Sequence, residues 1–190
     1  PNPKSVQKET LKGRRNLVYI CTYGIDEPFI QVLDAAKELP KDYVLYVTGN
    51  YNKAIGITER YKQENIVFTG YLDEDRYWRL LGSCDLVIDL TNRDNCLVCG
   101  AYEAVSVGTP LILSSKLELM KYFYRGCVYT DNSLPSIIKA VHEGINDLER
   151  LRTEINQLRD ELQKCWEKIG IDFRNVLLAQ RNHNATYKCG

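Results

Sequence analysis

Residues 85–113 read DLVIDLTNRDNCLVCGAYEAVSVGTPLIL. The stretch opens on a short apolar run, Asp85 to Leu90, and closes on another, Leu111 to Leu113, each of strand length. Between them come a polar turn, Thr91 to Asn95, and a helix-patterned segment, Cys96 to Val107. Gly108 suits a left-handed helix stop, and Pro110 forbids the helix to continue. Strand, helix and strand in this order make a crossover unit.

The same alternation continues on both sides. Toward the N-terminus, Asn16 to Thr22 is an apolar run, and Pro28 to Leu39 sets Phe29, Val32, Leu33 and Ala36 on one helical face. Tyr43 to Thr48 ends at the turn Gly49-Asn50, and a weaker helical stretch covers Ile57 to Gln63. Ile66 to Thr69 stops at Gly70, and Asp73 is placed to cap a helix carrying Tyr77, Leu80 and Leu81. Toward the C-terminus, Val128 to Thr130 is the last run. Six apolar runs separated by helices imply a parallel sheet covered on both faces, and right-handed crossovers then predict an α/β fold with a doubly wound, Rossmann-like sheet over residues 16–145. Ligands of such sheets bind beyond the carboxyl ends of the strands. That edge carries Thr22-Tyr23-Gly24, Gly49-Asn50, Gly70-Tyr71 and Thr91 to Asn95.

The flanks differ in character. Residues 1–15 hold Lys4, Lys8, Lys12, Arg14 and Arg15 among polar residues and two prolines, and read as a linker or tail, with a phosphate- or membrane-facing arm as the alternative. Residues 146–190 read as a C-terminal helical extension. In it Leu148, Leu151, Ile155, Leu158, Leu162, Cys165 and Ile169 alternate by three and four, a heptad seam that either lies on a folded domain or pairs with a second copy as a coiled coil through 148–169. Apolar residues make up 44% and charged residues 26%, too apolar for a disordered chain. The formal net charge of zero disfavours nucleic acid as a partner. Seven cysteines, an odd number partly inside apolar runs, argue for a reducing compartment, hence the cytoplasm or the inner face of a membrane.

The loop Thr91 to Asn95 leaves a buried strand and enters a helix, whose first N–H groups and positive dipole end suit a diphosphate without a metal ion. Asn95 and Glu103 are eight positions apart, two turns if the helix begins at Asn95, so both side chains could face one ligand. On the plainer reading, Asp94 or Asn95 is the helix cap and Glu103 a solvated acid. Cys96-Leu97-Val98-Cys99 also spells a C-x-x-C motif, which lacks the further ligands a structural zinc needs; these cysteines read as packing residues, and no metal is expected.

Two stretches carry a resemblance. Tyr102-Glu103-Ala104-Val105-Ser106-Val107-Gly108-Thr109-Pro110 is similar to the donor-binding region of retaining glycosyltransferases of the GT-B fold, and Val67 to Leu72 with Cys84 to Ile88 resembles the stretch preceding it. The likeness covers roughly residues 16–145. In that family a pair of glutamates separated by seven residues contacts the transferred sugar and the ribose. The resemblance implies that Glu103 holds the ribose, while the first place falls on Asn95, preceded by Asp94, instead of the usual acid. It implies that Tyr71 and Leu72 line the base pocket and that backbone at Cys96, Leu97 and Val98 holds the diphosphate. The family's arginine and lysine after the first strand are replaced here by Thr22-Tyr23-Gly24-Ile25-Asp26-Glu27, so Arg93 either replaces that charge at the leaving phosphate or is an ordinary surface arginine.

The expectation is therefore the donor-binding half of a glycosyltransferase. It would move a sugar from a nucleotide-diphosphate sugar to a glycan or lipid-linked acceptor, in polysaccharide or glycoconjugate synthesis. An N-terminal GT-B domain is the missing partner, without which the chain is expected to be inactive. The alternatives are a nucleotide-sugar epimerase or phosphorylase of the same architecture, or an interaction module with a decayed pocket.

Overall fold

The computed structural model of the chain describes residues 7–186, with side chains described to Asn175. Six strands form one sheet: β1 (Arg15–Tyr19), β2 (Tyr43–Thr48), β3 (Ile66–Gly70), β4 (Leu86–Asp89), β5 (Leu111–Ser114) and β6 (Cys127–Thr130). Their order is β3-β2-β1-β4-β5-β6, and every pairing is parallel, the doubly wound arrangement expected from the six apolar runs. Seven helices connect and follow them: α1 (Phe29–Glu38), α2 (Ile57–Arg60), α3 (Glu74–Ser83), α4 (Cys99–Val107), α5 (Leu117–Tyr122), α6 (Leu134–Asn146) and α7 (Leu148–Thr186).

Alternation along each strand divides the core. Leu17, Tyr19, Leu45, Val47, Leu86, Ile88, Ile112 and Val128 share one cluster with Val32 and Leu33 of α1 and Ile137 and Val141 of α6. Val18, Val87, Leu111 and Leu113 alternate with them and are buried too, as are Leu80 and Leu81 of α3 and Ala101 and Ala104 of α4. Both faces being covered explains why the strands are apolar throughout rather than every second residue.

Local chemistry sets the helix ends. Asp73 caps α3 through its side chain, which accepts from the Arg76 N–H at 2.9 Å, and Gly108 closes α4 in the left-handed conformation at φ 76°. Helix α4 begins later than the pattern suggested, at Cys99. Asn95 adopts φ 56° and Val98 is extended, so residues 96–98 run outside the helix. Neither Asp94 nor Asn95 caps α4; Val98 stands at the cap position without a side-chain bond. Helix α5, hidden by a short and mixed pattern, was not legible in the sequence.

Of the expected tail, residues 1–6 lie outside the described residues, and Arg15 already belongs to β1. The intervening backbone is tied to the domain: Glu9 N–H donates to Ser83 Oγ and Lys12 N–H to Tyr46 Oη, both at 2.8 Å. The heptad seam divides. Leu148, Leu151, Ile155 and Leu158 are buried within the unit that ends at Leu158. The second unit, Arg159–Gly190, exposes Trp166, Ile169, Ile171 and Phe173. Among the described residues no helix is long and apolar enough to cross a membrane.

Gly126, ahead of β6, takes φ 68°, and a Cβ there would lie 2.5–2.7 Å from Ile155 backbone and Cβ atoms, while its N–H donates to Glu154 Oε2 at 3.1 Å. The start of α7 thus packs against a position only glycine fits. Gly126→Ala is expected to cost roughly 2–4 kcal/mol, from left-handed strain plus overpacking. Urea denaturation checks this; a loss within experimental error would refute the packing.

Candidate functional site

Strand order reverses between β1 and β4, so their following loops diverge and leave a crevice at the carboxyl edge of the sheet. A cavity of about 460 Å³ opens there. Its lining comes from four directions: Ile20, Cys21 and Thr22 after β1; Thr48 and Gly49 at the end of β2; Tyr71, Leu72, Glu74, Tyr77 and Trp78 from the β3–α3 turn and α3; and Glu103 from α4.

Of the residues singled out in the sequence, the cavity brings together Tyr71, Leu72 and Glu103. Glu103 is half-buried, and its Oε2 accepts the Tyr77 hydroxyl at 2.5 Å. Burial and this carboxylate hold the Tyr77 phenol well above its ordinary pKa, so it acts as a donor. Trp78 stands edge-on to Tyr77, centroids 5.8 Å apart, and its Nε1 donates to Glu74 Oε1 at 3.3 Å. Tyr71 is 89% exposed and forms an open aromatic lip.

The β1–α1 loop folds around an acid. Glu27 accepts from Thr22 N–H at 2.9 Å, Thr22 Oγ1 at 2.7 Å and Gly24 N–H at 3.1 Å, and the Cys21 thiol lies 3.4 Å from it. Tyr23, between the two N–H donors, takes φ 58°; its ring packs edge-on against Phe29 and does not line the cavity. Gly24 likewise serves the loop through its N–H.

The β4–α4 loop lies outside the cavity lining. Arg93 pairs with Asp26 at 3.1 Å and Asp94 with Lys116 at 2.8 Å, so the expected phosphate-binding cation already has a carboxylate partner. With α4 starting at Cys99, the two-turn relation between Asn95 and Glu103 does not hold, and the side chain of Asn95 belongs to a left-handed turn. Cys96, Leu97 and Val98 precede the helix, with Val98 extended at its cap position.

Asp89 was passed over in the sequence as one residue of an apolar strand. It ends β4 beneath the first turn of α4, where a Cβ on Gly100 would come within 2.6 Å of its Oδ2. Oδ2 is buried and has no hydrogen-bond partner. Burial, then the charges of Glu27 and Glu103, push the Asp89 carboxyl up to about 8, with the peptide N–H groups of Ala101 and Gly100 pulling the other way. The group therefore stays protonated at neutral pH. An acid flanked by apolar strand residues and followed by a helix start was the available signal.

The model of the glycosyl transferase-like family matches residues 27–165. No curated protein matches the sequence. Among solved structures, the chain is similar to the sucrose-phosphate synthase of Thermosynechococcus elongatus, with a TM-score of 0.70 and 17% identity over 87% of this chain and 46% of that one. It is also similar to Anabaena HepE in complex with UDP and glucose, at TM-score 0.66 and 13% identity over 82% of this chain and 48% of the other. A UDP-forming α,α-trehalose-phosphate synthase from Burkholderia xenovorans gives 0.65 and 12% over 87% and 45%. At these identities the likeness is one of fold, and the chain spans less than half the length of each of the three structures.

The state of Asp89 predicts a pH signature. Because its folded pKa is raised, the native chain keeps a proton that the unfolded chain releases above about pH 4, so stability falls as pH rises through about 8 and then levels. Asp89→Asn cannot ionise and lacks this fall. Denaturant titrations between about pH 5 and 9 should show the variant gaining on the wild type by up to about 1.4 kcal/mol per pH unit below 8; a constant difference would rule the buried acid out.

Proposed function

We propose, from the premise that the chain belongs to the glycosyl transferase-like family, that it binds a nucleoside-diphosphate sugar as the donor half of a two-domain glycosyltransferase. The observation that carries this reading is Glu103, an acceptor-only carboxylate held in a crevice at the carboxyl edge of a doubly wound sheet, beside aromatic Tyr71, Tyr77 and Trp78. A ribose supplies adjacent hydroxyl donors to such a carboxylate, and a base finds the aromatic wall and Leu72. Two of the fold's relatives support uridine as the first base to try: one structure holds UDP and glucose, and another enzyme is described as UDP-forming.

In this reading the diphosphate lies toward the first turn of α4, where N–H groups of the helix start and the backbone of Cys96 to Val98 stabilise negative charge without a metal ion. The sugar then extends toward Asp94 and Asn95. Transfer with retention breaks the bond between the anomeric carbon and the diphosphate oxygen, and the developing charge on that oxygen is what the helix start meets. Arg93 contributes only by exchanging Asp26 for phosphate, a swap its 65% exposed side chain permits. A glycan or lipid-linked acceptor and the rest of the catalytic machinery belong to an N-terminal domain, and the cytoplasmic face of a membrane is the setting where polysaccharide or glycoconjugate synthesis would use it. The isolated chain binds donor and does not transfer.

Calorimetric titration of the chain with UDP, GDP and ADP tests the reading. One nucleotide, UDP first, is expected to bind, with Glu103→Ala weakening it about tenfold or more. At a hundredfold excess over its dissociation constant the ligand should add about 2.7 kcal/mol to stability. Absence of binding by all three to the folded chain would sink the donor-site reading and favour an interaction module.

A further inference from the structure

Tyr77 and Glu103 sit on different helices, α3 and α4, which pack against each other, and both line the cavity. The phenol reaches across this helix pair to a single carboxylate oxygen, Oε2. Its ring is half-buried and packs edge-on against Trp78, so the donor is held by the protein and not by the ligand. Glu103 Oε1 takes no hydrogen bond from the described residues. One carboxylate oxygen is thus committed to the protein and the other is left to the cavity.

A glutamate free to rotate would lose side-chain entropy when a ligand fixed it. Here that order exists before anything binds. A carboxylate is also acceptor-only, whereas its tyrosine partner offers a single proton, already directed at Oε2, so a second donor has to come from the ligand. Adjacent hydroxyls on a five-membered ring are such donors. We propose that Tyr77 is a positioning and specificity-determining residue: by holding Oε2 it aims Oε1 of Glu103 at the ligand's 2′,3′-diol, and so makes the site select ribonucleotides over 2′-deoxyribonucleotides. This rests on the reading of the cavity as a nucleoside-diphosphate site.

Titration with UDP, GDP and ADP, each beside its 2′-deoxy analogue, tests both ideas separately. The wild-type chain is expected to prefer the ribonucleotide it binds by about tenfold. Tyr77→Phe keeps the ring and its contact with Trp78; it should weaken the ribonucleotide by nearly that factor, change the deoxy analogue by less than about twofold, and so abolish the preference. In a Glu103→Ala background the same substitution should have no further effect. A preference unchanged in Tyr77→Phe, or an equal loss for both nucleotides in both backgrounds, would show that Tyr77 only packs. If Tyr77→Phe fails to fold, Tyr77→Leu, which also lacks the hydroxyl, decides on the same readout: loss of the preference supports the assignment and its retention overturns it. If the wild-type chain binds none of the six nucleotides, the nucleotide site itself falls, and the role of Tyr77 with it; binding without dependence on Tyr77 overturns only the latter.

Discussion

Strand β1 carries β2 on one side and β4 on the other, in parallel register Leu17 to Leu86 and Val18 to Val87 with β4, and the ladder extends one bond further through Ile20 N–H to the Ile88 carbonyl. Because this pairing is parallel and nonconsecutive, the chain must leave β1 toward one sheet edge and return to build the other half from β4. The two loops at the reversal are then forced apart at their carboxyl ends. The cavity at this edge is lined partly by strand ends, Thr22 after β1, Gly49 after β2 and Tyr71 after β3, and partly by the helices α3 and α4, which bring Tyr77, Trp78 and Glu103. Two contacts tie the diverging loops together: Asn92 N–H donates to the Asp26 carbonyl at 2.7 Å, and Arg93 pairs with the Asp26 carboxylate at 3.1 Å.

Much of this was legible because it depends on local periodicity. The six strands, the cap at Asp73 and the stop at Gly108 follow from residue types that act within a turn of where they stand. The start of α4 was not legible, since the cap rule looks for a polar side chain and finds Asp94 and Asn95, whereas the chain delays the helix to Cys99 by placing Asn95 at positive φ and turns Asp94 to Lys116. The acid beneath that helix start comes instead from β4, and a contact between Asp89 and Gly100 leaves no trace in spacing.

The same distinction runs through the candidate site. Glu103, Tyr71 and Leu72 were marked by a motif, and the fold brings them to one cavity. Tyr77 was read as part of an apolar helix face, which its ring is; the hydroxyl's partner lies on another helix and is set by the packing of α3 on α4. Likewise the acids Asp26 and Glu27 looked like an obstacle to an anionic ligand. The fold turns Glu27 into its own loop, among Thr22 and Gly24 donors, and gives Asp26 to Arg93. The heptad read as one seam falls in two stretches: Leu148, Leu151, Ile155 and Leu158 are buried in the first unit, and Ile169 is exposed in the second.

What remains is how a crevice with this many acids could accept a diphosphate. Glu74 and Glu103 line the cavity, and the charges of Glu27 and Glu103 both reach the buried Asp89, so full negative charge on all of them would repel a polyanion. Each is handled differently. Glu27 is met by two N–H groups and a hydroxyl, Glu74 by the Trp78 indole N–H and Glu103 by the Tyr77 phenol, whereas burial raises the Asp89 carboxyl and so favours its protonated form. The Gly100 and Ala101 N–H groups in the first turn of α4 act on Asp89, so this helix start and the buried acid influence each other. Ionising Asp89 would place a charge directly behind the same N–H groups. An ionised Asp89 would therefore compete for those N–H groups with any anion arriving at the helix start.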